Sequence, residues 1–230
     1  METYWLCFTL LSDATFGRGE GLASLVDQEV GHGRYGLPYL RGRTLKGLLN
    51  EECANILYAL EQQGNDLVRW KKAAQRLLGG PGSTLADDAL LRVGDARLPA
   101  DLRQAMRQAL EASGTRLRPA DVFDSLTTIR HQTAVNEETG VPEEGTLRAM
   151  RVVLRQTPFE ARLTFSDGVA PDDLPLLAAC ILALRRAGTG RNRGRGRLRA
   201  TLHAGREDGD GPGEDITQQQ FRIFAQEVRR

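Results

Sequence analysis

The sequence predicts an α+β fold: a ferredoxin-like core of four strands and two helices, carrying an inserted β-hairpin and a helical insertion. Three observations predict it. Short segments near both ends of the chain and at 159–165 have the apolar alternation of half-buried strands. Two longer segments, 44–63 and 171–187, are helical in pattern, and each stands between strand-like segments. Glycine and proline clusters separate the pieces. The order β–helix–β, a large insertion, then β–helix–β builds an antiparallel sheet with helices on one face. The other face is left for a ligand, and RNA-recognition modules use such a face.

Residues 4–11 are apolar, with aromatic content, and read as the first strand. A loop with Gly17, Gly19 and Gly21 follows at 13–21, and a second turn-rich stretch at 31–36. Leu37-Pro38-Tyr39-Leu40 is a short extended piece running into Arg41-Gly42-Arg43. The first helix takes Thr44 as N-cap, and Leu45, Leu48, Leu49, Ile56, Leu57 and Leu60 form its apolar stripe. A second helix spans 66–78 and stops at Gly79-Gly80-Pro81-Gly82. LLRVGDARL at 90–98 reads as a strand, and 101–112 as a short helix. From 127 to 154, polar and β-branched residues alternate around Asn136-Glu137-Glu138-Thr139-Gly140, whose turn chemistry predicts a hairpin. The apolar helix 171–187 has Asp172 and Asp173 at its positive end. A glycine-rich loop leads into a strand at 193–203. Residues 205–213 are polar and read as disordered, and 217–228 as a terminal helix. In domain terms, 1–204 is a single domain with a helical insertion at 64–126 and the hairpin at 127–156; 205–230 is a polar linker and C-terminal helix.

Composition sets the outer bounds. The 230 residues are 40% hydrophobic and 27% charged, enough for a core and not biased towards disorder. No run of about 18 apolar residues occurs, so no transmembrane helix is expected. Glu2 sits where a signal peptide carries Lys or Arg, so the apolar N-terminus reads as a strand. Cys7, Cys53 and Cys180 are odd in number and widely spaced, and read as small buried residues rather than zinc ligands. A reducing, soluble, cytoplasmic protein follows. Trp5 and Trp70 read as core or interface residues rather than base-stacking platforms. Lysine plus arginine number 31 and aspartate plus glutamate 30, a net charge of +1 that lacks the basic excess of a nucleic-acid binder.

The distribution of charge points the other way. No acidic residue lies between Asp173 and Glu207, and AGTGRNRGRGRLR falls inside that stretch. Gly188, Gly190, Gly194 and Gly196 let a backbone approach a ligand closely. Arg185, Arg186, Arg191, Arg193, Arg195, Arg197 and Arg199 surround them with guanidinium forks that suit phosphate oxygens. These glycines follow a helix and precede a strand, the reverse of a dinucleotide fingerprint. The alternative is a basic surface loop without a ligand. In GLPYLRGRTLKG, an extended piece delivers Arg41, Gly42 and Arg43 to a helix start, with Thr44 and Lys46 in the first turn. That is an anion site, or an ordinary capped helix with basic neighbours. Asp27 sits between glycine-rich turns upstream of this helix, with Asp13, Glu20 and Glu29 as neighbouring carboxylates. A carboxylate near phosphates implies a metal or proton-transfer role; a lone loop Asp also serves as a turn residue. His32, His131 and His203 are spread along the chain, none in a pair.

Together these segments resemble a known family. GLPYLRGRTLKGLL is similar to a motif in which a short strand ends in Pro-Gly-Ser-Ser-Leu-Lys-Gly and opens a helix. LLRVGDARL resembles the family's next strand, RHQTAVNEETGVPEEGTLRAMRVV its inserted hairpin, and AGTGRNRGRGRLR its C-terminal glycine-rich loop. The chain is identified on these four ordered motifs, from Tyr4 to about Leu202, as a member of the RAMP superfamily of CRISPR-associated proteins. It looks most like the repeated backbone subunit of type III effector complexes. Arg41-Gly42-Arg43-Thr44 departs from the family's Pro-Gly-Ser-Ser, with arginine in place of proline and of a small residue.

The resemblance implies an RNA-recognition-like core with a protruding thumb, stacked in copies along a guide RNA beside other effector subunits, away from membranes. Arg41, Gly42, Arg43, Thr44, Lys46, Gly188, Gly190, Arg191, Arg193, Gly194, Arg195 and Arg197 would hold the guide. Arg130 and His131 at the thumb base would touch RNA, and Val141 and Pro142 would form the apolar wedge at its turn. The family's catalytic aspartate falls on Asp27, which would cleave the paired target RNA with a divalent metal, Mg or Mn. Sequence specificity would come from base pairing. Two alternatives stay open: a scaffold subunit without catalysis, and a guide-processing endoribonuclease built around a histidine.

Overall fold

The computed structural model describes residues 2–17, 26–80, 89–133, 141, 148–206 and 211–229. Gly19, Glu20, Gly21, Pro142 and the hairpin centre 136–140 lie outside the described residues.

β1 (Thr3–Leu10) is the central strand of a five-stranded antiparallel sheet. β5 (Pro158–Phe165) flanks it on one side and β6 (Leu198–Gly205) on the other. β2 (Leu91–Val93) and β7 (Pro212–Asp215) form the edges, giving the order β2-β5-β1-β6-β7. The period-two pattern does what it predicts. Leu6, Phe8 and Leu10, with Phe159, Ala161, Leu163 and Phe165 and with Leu198, Ala200 and Leu202, bury one face. Phe8 stacks on Phe159 at 5.0 Å between centroids, and Phe16 meets Phe159 edge-on at 5.5 Å. Trp5 and Trp70 are buried, as expected of core residues; Cys53 and Cys180 are buried and Cys7 half-buried.

α1 (Gly42–Gln62) covers this face through Leu45, Leu48, Leu49 and Cys53. α2 (Val68–Leu78) adds Trp70, Ala73 and Leu77. α5 (Asp173–Ala183) is buried nearly all round because α1, α2, β6 and the terminal helix α6 (Thr217–Val228) all contact it. It ends earlier than 187. Residues 185–187 are extended and pair with the chain entering β6, where Arg186 bridges Arg197 and Leu198 N–H donates to Arg185 O at 2.9 Å. β6 correspondingly starts at Leu198 rather than 193, because 191–193 form a 3₁₀ turn between left-handed Gly190 and Gly194.

Other elements depart from expectation for local reasons. The 90–98 strand is broken: the register slips by one residue between Val93↔Leu163 and Arg97↔Glu160, a bulge that turns Asp95 out of the sheet. α3 (Ala100–Glu111) follows it. α4 (Pro119–Leu126) escaped the pattern reading, although Pro119 at its first position and Asp121, which accepts the Arg118 N–H at 2.8 Å, are start signals. Of the stretch 205–213, read as disordered, 207–210 lie outside the described residues, while Gly205 ends β6 and Pro212 begins β7, and the two strands pair through His203↔Asp215 and Gly205↔Pro212. The polarity misled because β7 is an edge strand of only four residues.

β3 (Thr127–Gln132) and β4 (Arg148–Val153) form a separate two-stranded antiparallel ribbon, from Thr127↔Val153 to Gln132↔Arg148. Its inner end is buried at Thr127, Val152 and Val153; Ile129, Arg130 and His131 are exposed farther out. No helix of the described residues is long and apolar enough to cross a membrane.

Candidate functional site

The N-terminus of α1 is fixed by a distant residue rather than a local cap. Thr44 is not the N-cap: the helix begins at Gly42, with Arg41 preceding it in extended conformation. The bulged Asp95 accepts the Gly42 N–H on Oδ1 at 3.0 Å and the Arg97 guanidinium on Oδ2 at 3.1 Å. Burial alone would raise the Asp95 pKa. The Gly42 N–H, the Arg97 bond and the charges of Arg97 and Arg41 outweigh it and hold the carboxyl below its ordinary value. Gly42 is required because a Cβ there would sit 2.1 Å from Val93 O. Arg43 and Thr44 are exposed, whereas Lys46 turns back to donate to Leu91 O at 3.0 Å.

The glycine-rich loop packs onto the segment after β1. Thr189 N–H donates to Thr15 O at 2.9 Å, and Gly196 N–H to Asp13 O at 2.8 Å. The Ser12 hydroxyl donates to Gly194 O at 3.2 Å and accepts from Arg197 N–H at 3.0 Å. Gly188 has a φ of +94° and lies so close to Thr15 O that a Cβ would approach to 2.6 Å. Arg191 reaches out of the loop to α1 and grips both oxygens of Glu51 at 2.9 Å.

Two motifs far apart in sequence therefore meet. A groove of about 420 Å³ has Arg41 and Thr44 at the start of α1 on one side, Gly188, Thr189 and Arg191 on the other, and Tyr39 between. Other basic residues line two further clefts. One, of about 510 Å³, gathers Arg130, Arg155 and Arg195 around Asp13. The other, of about 550 Å³, sets Arg185, Arg186, Arg197 and Arg199 over Leu11 and Leu184. Arg193 is exposed on the 3₁₀ turn, and Gly190 precedes it.

Asp13 joins the ribbon to this assembly. Its Oδ2 accepts Nε and Nη2 of Arg130 at 3.1 and 2.9 Å, its Oδ1 the Arg155 N–H at 3.0 Å, and its carbonyl the Gly196 N–H. Asp27 lies at the ribbon's edge. The segment carrying it runs along β4: Asp27 N–H donates to Ala149 O at 2.8 Å, and Ala149 N–H returns a bond to Asp27 Oδ2 at 2.8 Å. Gln28 bridges Met150 in parallel sense. Asp27 is exposed and lines none of the three clefts. His131 pairs with the same Ala149 from the other side of β4. Glu29, close to Asp27 in the sequence, is committed to Arg151 at 3.0 Å. Among the described residues no three His, Cys, Asp or Glu side chains gather as a metal cluster.

The histidines stay on separate elements. His32 lies against the Phe123 ring at 4.4 Å, and His203 contacts Thr201 Oγ1 at 3.0 Å and Gly213 O at 3.0 Å. Val141 is exposed. Pattern reading singled out the arginines and glycines but missed their fixtures, Asp95, Asp13 as a hub, Glu51 and Tyr39. Only Gly94-Asp95 inside a strand pattern offered a signal, that of a bulge.

A family model for the RAMP superfamily matches residues 7–199. Comparison with curated protein sequences finds no match. Among solved structures, a chain in the cryo-EM structure of the Type III-B Cmr-beta bound to cognate target RNA superposes with a TM-score of 0.60 at 11% identity, covering 87% of this chain and 96% of that one. A chain in the apo state of Type III-B Cmr-beta gives 0.58 at 12% identity, with 87% and 96% covered. At these identities the likeness is one of fold.

Proposed function

The chain belongs to the RAMP superfamily, and on that premise we propose that it is a backbone subunit of a type III CRISPR effector complex, binding guide RNA beside copies of itself and other effector subunits. The observation that carries this reading is the groove in which Arg41 and Thr44 face Gly188 and Arg191. Guanidinium forks and glycine backbone converge there on a space suited to a phosphate chain. The sheet order β2-β5-β1-β6 supports a ferredoxin-like core, and the β3–β4 ribbon supports a thumb. The fold shared with a chain of a Cmr-beta assembly solved on target RNA agrees with both.

Cleavage of target RNA at Asp27 is the finer part of the proposal. Attack by the substrate's own 2′-OH needs in-line geometry above all. Asp27 contributes a carboxylate of fixed orientation: Oδ2 is held by Ala149 N–H, and Oδ1 accepts no hydrogen bond among the described residues. One such carboxylate suits Mg²⁺ or Mn²⁺ shared with RNA phosphate rather than an all-protein cage. A metal bound there would supply charge neutralisation at the phosphate. A scaffold reading draws on the same bond, since a carboxylate that caps a strand edge has a structural use already.

The test is a complex reconstituted with guide and target RNA. Asp27→Ala should abolish target cleavage while guide and target binding stay at wild-type level. Undiminished cleavage overturns the Asp27 assignment.

A further inference from the structure

A further cleft lies beyond this groove. It has a volume of about 710 Å³ and opens between the loop 32–39 and α3. Arg34, Arg97, Arg103 and Arg107 line it against a single carboxylate, Asp95, which is already engaged by Gly42 N–H and Arg97. Arg103 lines the cleft, anchored through Nε to Leu98 O at 2.8 Å and within the electrostatic reach of Glu160. Neither Arg34 nor Arg103 joins an ion pair among the described residues. Arg107 approaches Glu111 only to 3.8 Å.

Two rings stand among these cations. The Tyr35 hydroxyl donates to Glu111 at 2.5 Å, and the Arg34 guanidinium lies 5.5 Å from the Tyr35 ring centroid, so the ring is tethered at its rim and flanked by a cation. Tyr39 lines both this cleft and the α1 groove, so the two adjoin at its ring.

We propose that this cleft is a second RNA-binding surface, holding a single-stranded segment that continues past Tyr39 from the α1 groove. The inference rests on the RNA reading of that groove. Cations that follow a backbone, interleaved with aromatic faces that accept any base, are what a single strand requires. An acidic peptide would use the arginines but not the rings. A base stacks on Tyr35 while the flanking phosphates meet Arg103 and Arg107.

The test is fluorescence anisotropy on the full chain with two labelled uridine oligomers, of about 5 and about 15 nucleotides, spanning the usual site sizes. The double variant Arg103→Glu/Arg107→Glu should bind the long oligomer about ten-fold or more weakly, with a salt slope lower by about 1.4, and the short oligomer as the wild type does. Tyr35→Leu should cost the long oligomer roughly ten-fold, and Arg103→Lys/Arg107→Lys should retain most of the affinity. Thermal melting verifies that each variant is folded. Equal affinity of wild type and the folded charge-reversal variant for the long oligomer overturns the proposal and leaves the groove reading intact. Failure of the wild type to bind either oligomer overturns the groove reading, and this inference with it. A peptide spanning 136–144, which carries Glu137, Glu138, Glu143 and Glu144, is the competitor. If it occupies the cleft of the wild type and not of the double variant, while the long oligomer is insensitive to that variant, the cleft receives an acidic segment instead.

Discussion

Gly196 and Gly47 look alike in sequence and have opposite structural roles. Gly196 has a φ of +66°, and a Cβ there would fall 1.9 Å from Ala187 O; around Gly47, inside α1, nothing lies within 4 Å. Gly196→Ala should therefore cost at least roughly 1–3 kcal/mol, whereas Gly47→Ala should gain about 0.5–1 kcal/mol by relieving a helix-interior glycine. Urea denaturation of the two variants checks both signs. The basic residues divide in the same way. Composition makes Lys46 and Arg191 equal candidates for phosphate, yet Lys46 is turned away onto Leu91 O, whereas Arg191, paired with Glu51, lines the groove. Charge was legible in the sequence at this scale. The partner of each charge was not, because the partners come from α1, β2 and the post-β1 segment, joined only by folding.

At the scale of elements, the start of α1 depends on the bulge after β2. Replacing Asp95 by Ala removes the acceptor of the Gly42 N–H and should cost about 0.5–2 kcal/mol, the usual worth of a helix cap. The pH dependence has a definite sign. Asp95 is held below its ordinary pKa in the folded chain, so the unfolded chain takes up the proton first as pH falls. Its stabilisation is complete above the ordinary value of about 3.9 and is lost as pH drops through the lowered folded value. Below about pH 4 the wild type should lose stability with falling pH more steeply than Asp95→Asn, as denaturation midpoints across a pH series will register. The long regular elements were readable: β1, α1, β5 and α6 fall within a few residues of their expected ranges. The elements that escaped, the broken 90–98 strand, α4 and β7, are short, and tertiary pairing rather than periodicity defines them.

Across the whole molecule, the C-terminal segment is part of the core. Phe224 packs edge-on to Trp70 of α2 with centroids 4.7 Å apart, and β7 extends the sheet beside β6. Phe224→Ala should therefore destabilise the entire chain by roughly 3–5 kcal/mol rather than merely release a tail, which thermal unfolding followed at the tryptophans will resolve. The ribbon is tied to the body by Asp13, through Arg130 on one side and Gly196 on the other. Pattern reading found the ribbon and the loop separately. Their union at Asp13 was invisible because one carboxylate in a loop has no periodicity.

The four left-handed glycines of the 188–196 loop also bear on kinetics. A loop whose backbone bonds are already made to Thr15, Asp13 and Ser12 has little freedom left to lose when a ligand arrives. Capture of an anionic strand should then run at a rate set by encounter, falling as ionic strength rises, with no slow rearrangement phase. Substitutions that loosen these anchors should shorten residence time while leaving arrival almost unchanged.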